Sequence, residues 1–400
     1  MRQAPMLDLR LEYEYMKSEI DSAIRRCLEH QKWILGPEVG ELENKMAGYL
    51  GVKHCIGVSS GTEALILALR ALAIRTKGRE YFDRTDLIIT TPFTFTATGD
   101  AILRSGATPV FIDIDPQTYN IDTAKIRQYL EKSGEGVVGI IPVHLYGQAC
   151  RMDEISDIAS ERGLFIIEDV AQAFGGMWRG RKLGAIGTAG CFSFFPSKNL
   201  GGFGDGGMVS TGDDETAGII RMLLKHGGRD KYNVDHIGYN ARLDTLQAAV
   251  LLAKFAYIDE FNSKRRKIAE KYNENLAGLE GISLPLVKNP DAFHVYHQYT
   301  VRVEDREMFQ SKLREKGIST MVYYPYPLHK MKVFGEGRSL CDGGLEQAEK
   351  AALGVLSLPV EPLQSEETTS YVAGMVRDIF TKGLTGKAAA FSASPAGRGI

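Results

Sequence analysis

The feature that most restricts the fold is an alternation. The apolar, β-favouring runs Thr108–Ile114, Gly136–Val143 and Leu164–Glu168 are separated by stretches with helical spacing at Asp122–Glu131 and Asp153–Glu161. Strands that alternate with helices build a largely parallel sheet. His54–Ser59 and Asp86–Thr90 read as two further strands upstream, the first leading into the apolar helix Glu63–Ala73. In an open α/β sheet the ligand crevice lies outside the carboxyl ends of the strands. The Leu164–Glu168 run continues as Asp169-Val170-Ala171-Gln172, so the Asp169 carboxylate is expected to point into that crevice.

Lys198 stands between an aromatic, strand-like run, Cys191 to Phe195, and a glycine cluster, Gly201 to Gly207. The glycines permit φ > 0 and a close approach of backbone to a bound group. A lysine partly desolvated in such a setting is a nucleophile suited to Schiff-base chemistry. Taken alone, the stretch fits a surface lysine in a glycine-rich turn equally well. With Asp169 it meets the two demands of a pyridoxal phosphate (PLP) site: an amine to carry the cofactor, and a carboxylate to keep the pyridine nitrogen protonated. Ser60-Gly61-Thr62, between a strand and a helix start, offers free N–H groups and a positive dipole end to an anion. Ser or Thr before a helix is also an ordinary N-cap.

Five segments then carry a specific resemblance: Trp33-Ile34-Leu35-Gly36-Pro37-Glu38, Ser59-Ser60-Gly61-Thr62-Glu63-Ala64-Leu65, Glu168-Asp169-Val170-Ala171-Gln172, Ser193-Phe194-Phe195-Pro196-Ser197-Lys198 and Gly238-Tyr239-Asn240-Ala241-Arg242-Leu243-Asp244. In these motifs and their order the chain resembles the DegT/DnrJ/EryC1/StrS family of PLP-dependent nucleotide-sugar aminotransferases, closest to the branch that makes 3-amino sugars for bacterial surface polysaccharide. The resemblance implies an α/β fold of the aspartate-aminotransferase type (fold type I), with a mainly parallel sheet in a large PLP domain and a smaller α+β C-terminal domain. It makes Lys198 and Asp169 the catalytic pair. Gly61, Thr62 and Glu63 fall at the phosphate turn, Phe95 at the ring-stacking position, and Gln172, Ser193 and Asn240 at further cofactor positions. Trp33, Arg242, Tyr323, Tyr324 and His329 fall on the substrate side. Asn240 matches a residue that reaches the partner subunit's cofactor, so the resemblance implies a homodimer with shared sites. The implied reaction moves an amino group from an amino acid, expected to be glutamate, to a keto group of a nucleotide-linked sugar, expected at C3. Two alternatives of the same fold stay open: a PLP-binding regulatory protein and a sugar dehydratase. Lys198 favours transamination, because the dehydratases of the family carry histidine there.

Some of these residues have plainer readings. The Trp33–Pro37 segment fits a loop anchor, Phe95 fits core packing, and His144 reads as structural. Arg242 fits a sugar carboxylate, a diphosphate or a structural ion pair. No histidine pair has ligand spacing, and no metal is expected.

The large domain is expected over residues 1–255, with helices at Glu14–His30, Val39–Leu50 and Thr245–Phe255. The small domain is expected over 256–382, with helices at Phe261–Leu276, Glu307–Lys316 and Gly344–Leu353 and strands at Tyr296–Val303 and Ser319–Tyr323. Residues 383–400, rich in Gly, Ala and Ser, read as a flexible tail without function. The charged Arg75–Asp86 connection is longer than its neighbours require and reads as a local insertion. The polar, Gly-rich stretch Lys225–Asp244 is a long loop of the kind that is usually functional or disordered.

Composition narrows the partners. A formal net charge of -2 over 400 residues gives no basic field for nucleic acid. No apolar run approaches the ~20 residues of a membrane span. Met1 to Arg10 is too polar for a signal peptide. Five cysteines without a C-x-x-C pair suggest reduced thiols, and a cytoplasmic location is expected.

Overall fold

A computed structural model describes residues 3–230 and 232–391, the last ten of them by their backbone only. Its centre is an eight-stranded sheet. In chain order the strands are β1 (His54–Val58), β2 (Leu87–Thr90), β3 (Thr108–Phe111), β4 (Val137–Ile140), β5 (Phe165–Asp169), β6 (Ala189–Ser193), β7 (Gly207–Thr211) and β8 (Leu340–Cys341). They lie side by side as β1-β7-β6-β5-β4-β2-β3-β8. The run from β6 to β8 is parallel throughout, and β7 pairs antiparallel with β1 and β6.

Side chains on a strand alternate between faces, and a sheet covered on both sides is apolar on both. Neighbouring isoleucines divide accordingly. Ile89, Ile140 and Ile166 pack under the Pro37–Leu50, Thr123–Ser133 and Met152–Arg162 helices through Leu42, Ile126 and Ile155. Ile88, Ile141 and Ile167 pack on the other face with Leu65, Leu69 and Leu72 of the Gly61–Lys77 helix.

Local signals set the helix ends. Pro37 stands at the start of Pro37–Leu50, where its missing N–H costs nothing, and Gly51 closes that helix at φ 72°. The Ser60 hydroxyl caps Gly61–Lys77 by accepting the Glu63 N–H at 3.1 Å.

A second, antiparallel sheet sets Tyr299–Val303 between Ile282–Ser283 and Val355–Leu358. Its core takes residues from the helices Ile258–Leu276 and Arg306–Glu315 and also Ala4, which bridges to Ile318. Strand β8 returns from this part of the chain to the edge of the large sheet.

Three expectations are corrected. The Glu14–His30 helix is two helices, Leu9–Tyr15 and Lys17–His30, because Asp8 caps an earlier start and the chain leaves helical geometry at the buried Met16. Ser319–Tyr323 is not a strand: it makes one bridge, Met321 to Ser357, and then turns away to carry its tyrosines to the large sheet. The C-terminal helix runs Glu366–Phe391, so the expected flexible tail begins inside a helix; residues 392–400 lie outside the described residues. Among the described residues no helix is long and apolar enough to cross a membrane.

Candidate active site

The site forms where the ends of β5 and β6 meet the start of the Gly61–Lys77 helix. The first amides of a helix have no intrahelical acceptor. Here the Glu63 N–H is taken by Ser60, which leaves the Gly61–Thr62 corner as a small electropositive cradle. Ser193, at the end of β6, closes it from the side. A Cβ on Gly61 would lie 2.6 Å from the Ser193 Cβ, so a larger residue would fill this corner. Gly207 makes the same close approach from β7, its would-be Cβ 2.3 Å from the Ser60 carbonyl oxygen. Glu63 is partly buried, its Oε2 has no hydrogen-bond partner, and burial raises its pKa.

Asp169 ends β5 and is almost fully buried. Its Oδ1 accepts the Ala171 N–H at 3.1 Å, and its Oδ2 accepts the Thr98 hydroxyl at 2.8 Å. Burial raises its pKa, and those two bonds and the Lys198 charge oppose the shift. Lys198 lies on the turn after β6. Burial pushes its amine down to about 8, and the Asp169 carboxylate holds it up. An amine in that range is a free base for part of the time near neutral pH, as a nucleophile and proton carrier requires. The turn itself is fixed by Asn199, which donates to Asn262 Oδ1 at 2.7 Å, and by the Gly202 N–H, 2.7 Å from the Phe194 oxygen.

Gln172 is held from both sides: its Oε1 accepts the Tyr146 N–H at 2.8 Å and its Nε2 donates to the Tyr324 hydroxyl at 2.8 Å. Tyr324 arrives on the segment that failed to form a strand. Burial, and the nearby Asp169 charge, raise its hydroxyl pKa. Its ring stands 6.2 Å from that of Phe95, which keeps 57% of its surface exposed. An aromatic exposed beside Asp169's partners offers a face to a planar ring. Tyr323 adjoins through its carbonyl, which accepts the Tyr146 hydroxyl.

Trp33, Asn240 and Arg242 gather at a neighbouring corner. The Trp33 carbonyl accepts the Thr245 N–H at 2.9 Å, and Ile34 bridges to Asp244. Arg242 bridges to Val58 beside the cradle, and its Nε is buried without a partner. A cavity of about 530 Å³ opens here, lined by Ile34, Ser59, Asp205, Asn240, Arg242 and Asp244 among others. His329 pairs through Nε2 with Glu349 at 2.9 Å, and its Nδ1 is buried without a hydrogen-bond partner.

Sequence reasoning missed Thr98 and Tyr146, and it read His144 as structural without naming its partners. Thr98 sits three residues beyond Phe95 in the Thr96–Arg104 helix, and that spacing was the available signal. His144 is fully buried; its Nδ1 accepts the Cys150 N–H at 3.1 Å, which leaves Nε2 to donate to Glu168 at 3.1 Å. Glu168 also accepts N–H groups from Gly184, Ile186 and Gly187. That buried pair stands directly behind Asp169.

Among the described residues one group has metal-ligand chemistry, Cys27, His30 and Glu38. His30 Nδ1 accepts the Lys32 N–H at 3.0 Å, so the proton sits on Nε2 and is donated to Glu38 at 3.0 Å. The nitrogen a metal would need is therefore occupied.

The fold and the lysine–carboxylate site define an aminotransferase. The chain belongs to the DegT/DnrJ/EryC1/StrS aminotransferase family, whose model matches residues 14–377. It is 40% identical over 356 residues to the UDP-2-acetamido-2-deoxy-3-oxo-D-glucuronate aminotransferase of Pseudomonas aeruginosa, covering 89% of this chain and 94% of that one. It is 44% identical to a pleiotropic regulatory protein of Geobacillus stearothermophilus, over 94% of this chain and 98% of that protein. The crystal structure of S. venezuelae DesV in complex with a ketimine intermediate superposes with a TM-score of 0.88 at 40% identity, covering 94% of this chain and 98% of DesV.

Proposed function

We propose that this protein binds pyridoxal phosphate on Lys198 and transfers an amino group from glutamate to the C3 keto group of a nucleotide-linked sugar. The observation that carries the reading is that Asp169 and Lys198 follow the adjacent parallel strands β5 and β6, whose ends meet the Gly61–Ser193 cradle, with the Asp169 charge acting on the Lys198 amine. The residues fit the cofactor: a cradle that a Cβ would fill, a carboxylate with donors on only part of its surface, and an amine depressed toward neutrality. When bound, the cofactor supplies an electron sink for the substrate carbon.

The chain's own groups divide the remaining work. The Gly61 and Thr62 amides and the Ser193 hydroxyl would hold the phosphate. Asp169, oriented by Thr98 and Ala171, would keep a proton on the pyridine nitrogen. Phe95 would offer its face to the ring. Lys198 would carry the cofactor and, as base and then acid, would move a proton between the reacting carbons. Tyr324 and Gln172 shape the substrate side, and Arg242 with the Trp33 segment takes the sugar nucleotide. The large PLP region corresponds to roughly the first 255 residues and the second sheet to the smaller domain. The P. aeruginosa relative's named substrate supports a 3-keto sugar.

The G. stearothermophilus relative, a pleiotropic regulatory protein, favours a second reading, a cofactor-binding regulator. An absorbance spectrum separates the two. In a transaminase the visible band of lysine-bound cofactor is lost when glutamate is added and returns with a keto-sugar nucleotide. In a regulator it does not respond to glutamate. Absence of any band contradicts both.

A further inference from the structure

The catalytic reading leaves the Arg75–Asp86 connection without a role. In the structure the Gly61–Lys77 helix takes its first residues, and the remainder folds back against the loop that carries Asn240 and Arg242. Arg70, on that helix, is fully buried. A guanidinium out of water is costly unless its charge and donors are answered. Here they are answered from both sides. One terminal nitrogen donates to the Tyr239 hydroxyl at 2.7 Å; the other donates to Glu80 Oε2 at 2.8 Å and to the Ile237 carbonyl at 2.9 Å. The Nε donates to the Glu80 carbonyl. The Tyr81 ring lies 3.7 Å from the guanidinium carbon, close enough for cation–π attraction. The second Glu80 oxygen reaches His236 Nδ1 at 2.7 Å.

Two residues of the connection, Glu80 and Tyr81, and two of the loop, Ile237 and Tyr239, therefore meet at one buried cation, and Glu80 ties in His236 as a third. The effect is passed on directly in sequence. The Tyr239 N–H is bonded to the Leu223 carbonyl at 2.7 Å and its own carbonyl accepts the His226 N–H at 2.9 Å. Asn240 is the next residue, and the Ala241 N–H bonds Leu224 at 3.1 Å just before Arg242. A long polar loop is entropically costly to order, and these contacts order the part that faces the site.

We propose that Arg70 is a positioning residue: with Glu80 and Tyr81 of the connection it clamps His236, Ile237 and Tyr239, and so fixes where Asn240 and Arg242 present their side chains. The inference rests on the reading of those two as cofactor- and substrate-side groups. It also makes the Gly61–Lys77 helix a link, because the helix presents the phosphate cradle at one end and grips this loop roughly two and a half turns later.

Tyr239→Phe removes one contact and Glu80→Gln removes the charge that answers the guanidinium, and each keeps the shape, which avoids the unfolding risk of emptying the Arg70 site. The experiment measures hydrogen–deuterium exchange at the His236, Tyr239 and Ala241 amides of the full-length protein, with β4 amides as controls, together with steady-state kinetics. The expected result is exchange about tenfold faster at the loop amides with the controls unchanged. The sugar-nucleotide KM should rise roughly fivefold while kcat changes by less than about twofold. Loop exchange equal to wild type in both variants overturns the clamp. Faster exchange with an unchanged KM overturns the positioning role. Failure of the aminotransferase reading appears separately, as a wild-type spectrum that ignores glutamate, and the exchange result does not depend on it.

Discussion

Thr98 donates its hydroxyl to Asp169 Oδ2 at 2.8 Å, and Thr94 Oγ lies 3.3 Å behind it. A hydroxyl has one proton, so with that proton on Asp169 it accepts from Thr94. Both threonines are buried. The result is a directed chain that holds the carboxylate in one orientation. Thr98→Val keeps the shape and removes the donor. It should lower kcat about tenfold, the equivalent of roughly 1.4 kcal/mol of barrier, and Thr98→Ser should retain most of the rate. Equal rates for the valine and serine variants would remove Thr98 from the account.

The depressed Lys198 amine predicts a pH dependence with a definite sign. Only the free base attacks the cofactor aldehyde, and burial sets the amine near 8. The rate of cofactor uptake by cofactor-free protein should therefore rise with pH to a midpoint near 8 and level off above it. The Asp169 charge raises this pKa, so Asp169→Asn should move the midpoint down. A stopped-flow series across pH reads both. A midpoint near the ordinary lysine value of about 10.4 would show that the amine is solvated.

Much of this site was legible before any coordinates. Asp169 and Lys198 carried signals of two independent kinds, a strand end and an amine beside glycines, and the sheet followed from the alternation of Thr108–Phe111, Val137–Ile140 and Phe165–Asp169 with helices. What was not legible depended on tertiary contact. The Ser319–Tyr323 run has strand composition, yet its backbone gives up pairing because Tyr324 bonds Gln172 in the other sheet's crevice. The motif places His329 on the substrate side, and only packing shows that its Nε2 pairs with Glu349. The Arg75–Asp86 connection read as an insertion because no local pattern records that Glu80 answers a buried arginine from a helix ten residues upstream.

Arg242 has a buried Nε without a partner and lines the cavity beside the cradle. A guanidinium can hold a sugar carboxylate in a two-point contact, which an ammonium cannot reproduce. Arg242→Lys should therefore weaken 3-keto uronic acid nucleotides much more than neutral hexose nucleotides, by about tenfold in kcat/KM. Equal losses on both would assign Arg242 to the diphosphate or to structure.

The resemblance of the Gly238–Asp244 segment implies a two-fold dimer with shared sites, and such a dimer has a quantitative outcome on mixing. Lys198→Ala and Asn240→Ala should each be nearly inactive. In a mixed dimer one site carries both defects, and the other has an intact Lys198 and the partner's intact Asn240. Random exchange makes about half the dimers mixed, so activity should return to roughly a quarter of wild type. Subunit exchange is followed independently by native mass spectrometry. No recovery in an exchanged sample would mean that each site is built within one chain.

The central claim is that Lys198, and no other lysine, carries the cofactor opposite Asp169. Its most direct test is borohydride reduction of the protein incubated with pyridoxal phosphate, followed by peptide mapping. The account predicts one pyridoxyl label, on the peptide containing Ser193 to Lys198, and none in Lys198→Ala. A label on a different lysine, or a wild-type protein that takes no label, would contradict it.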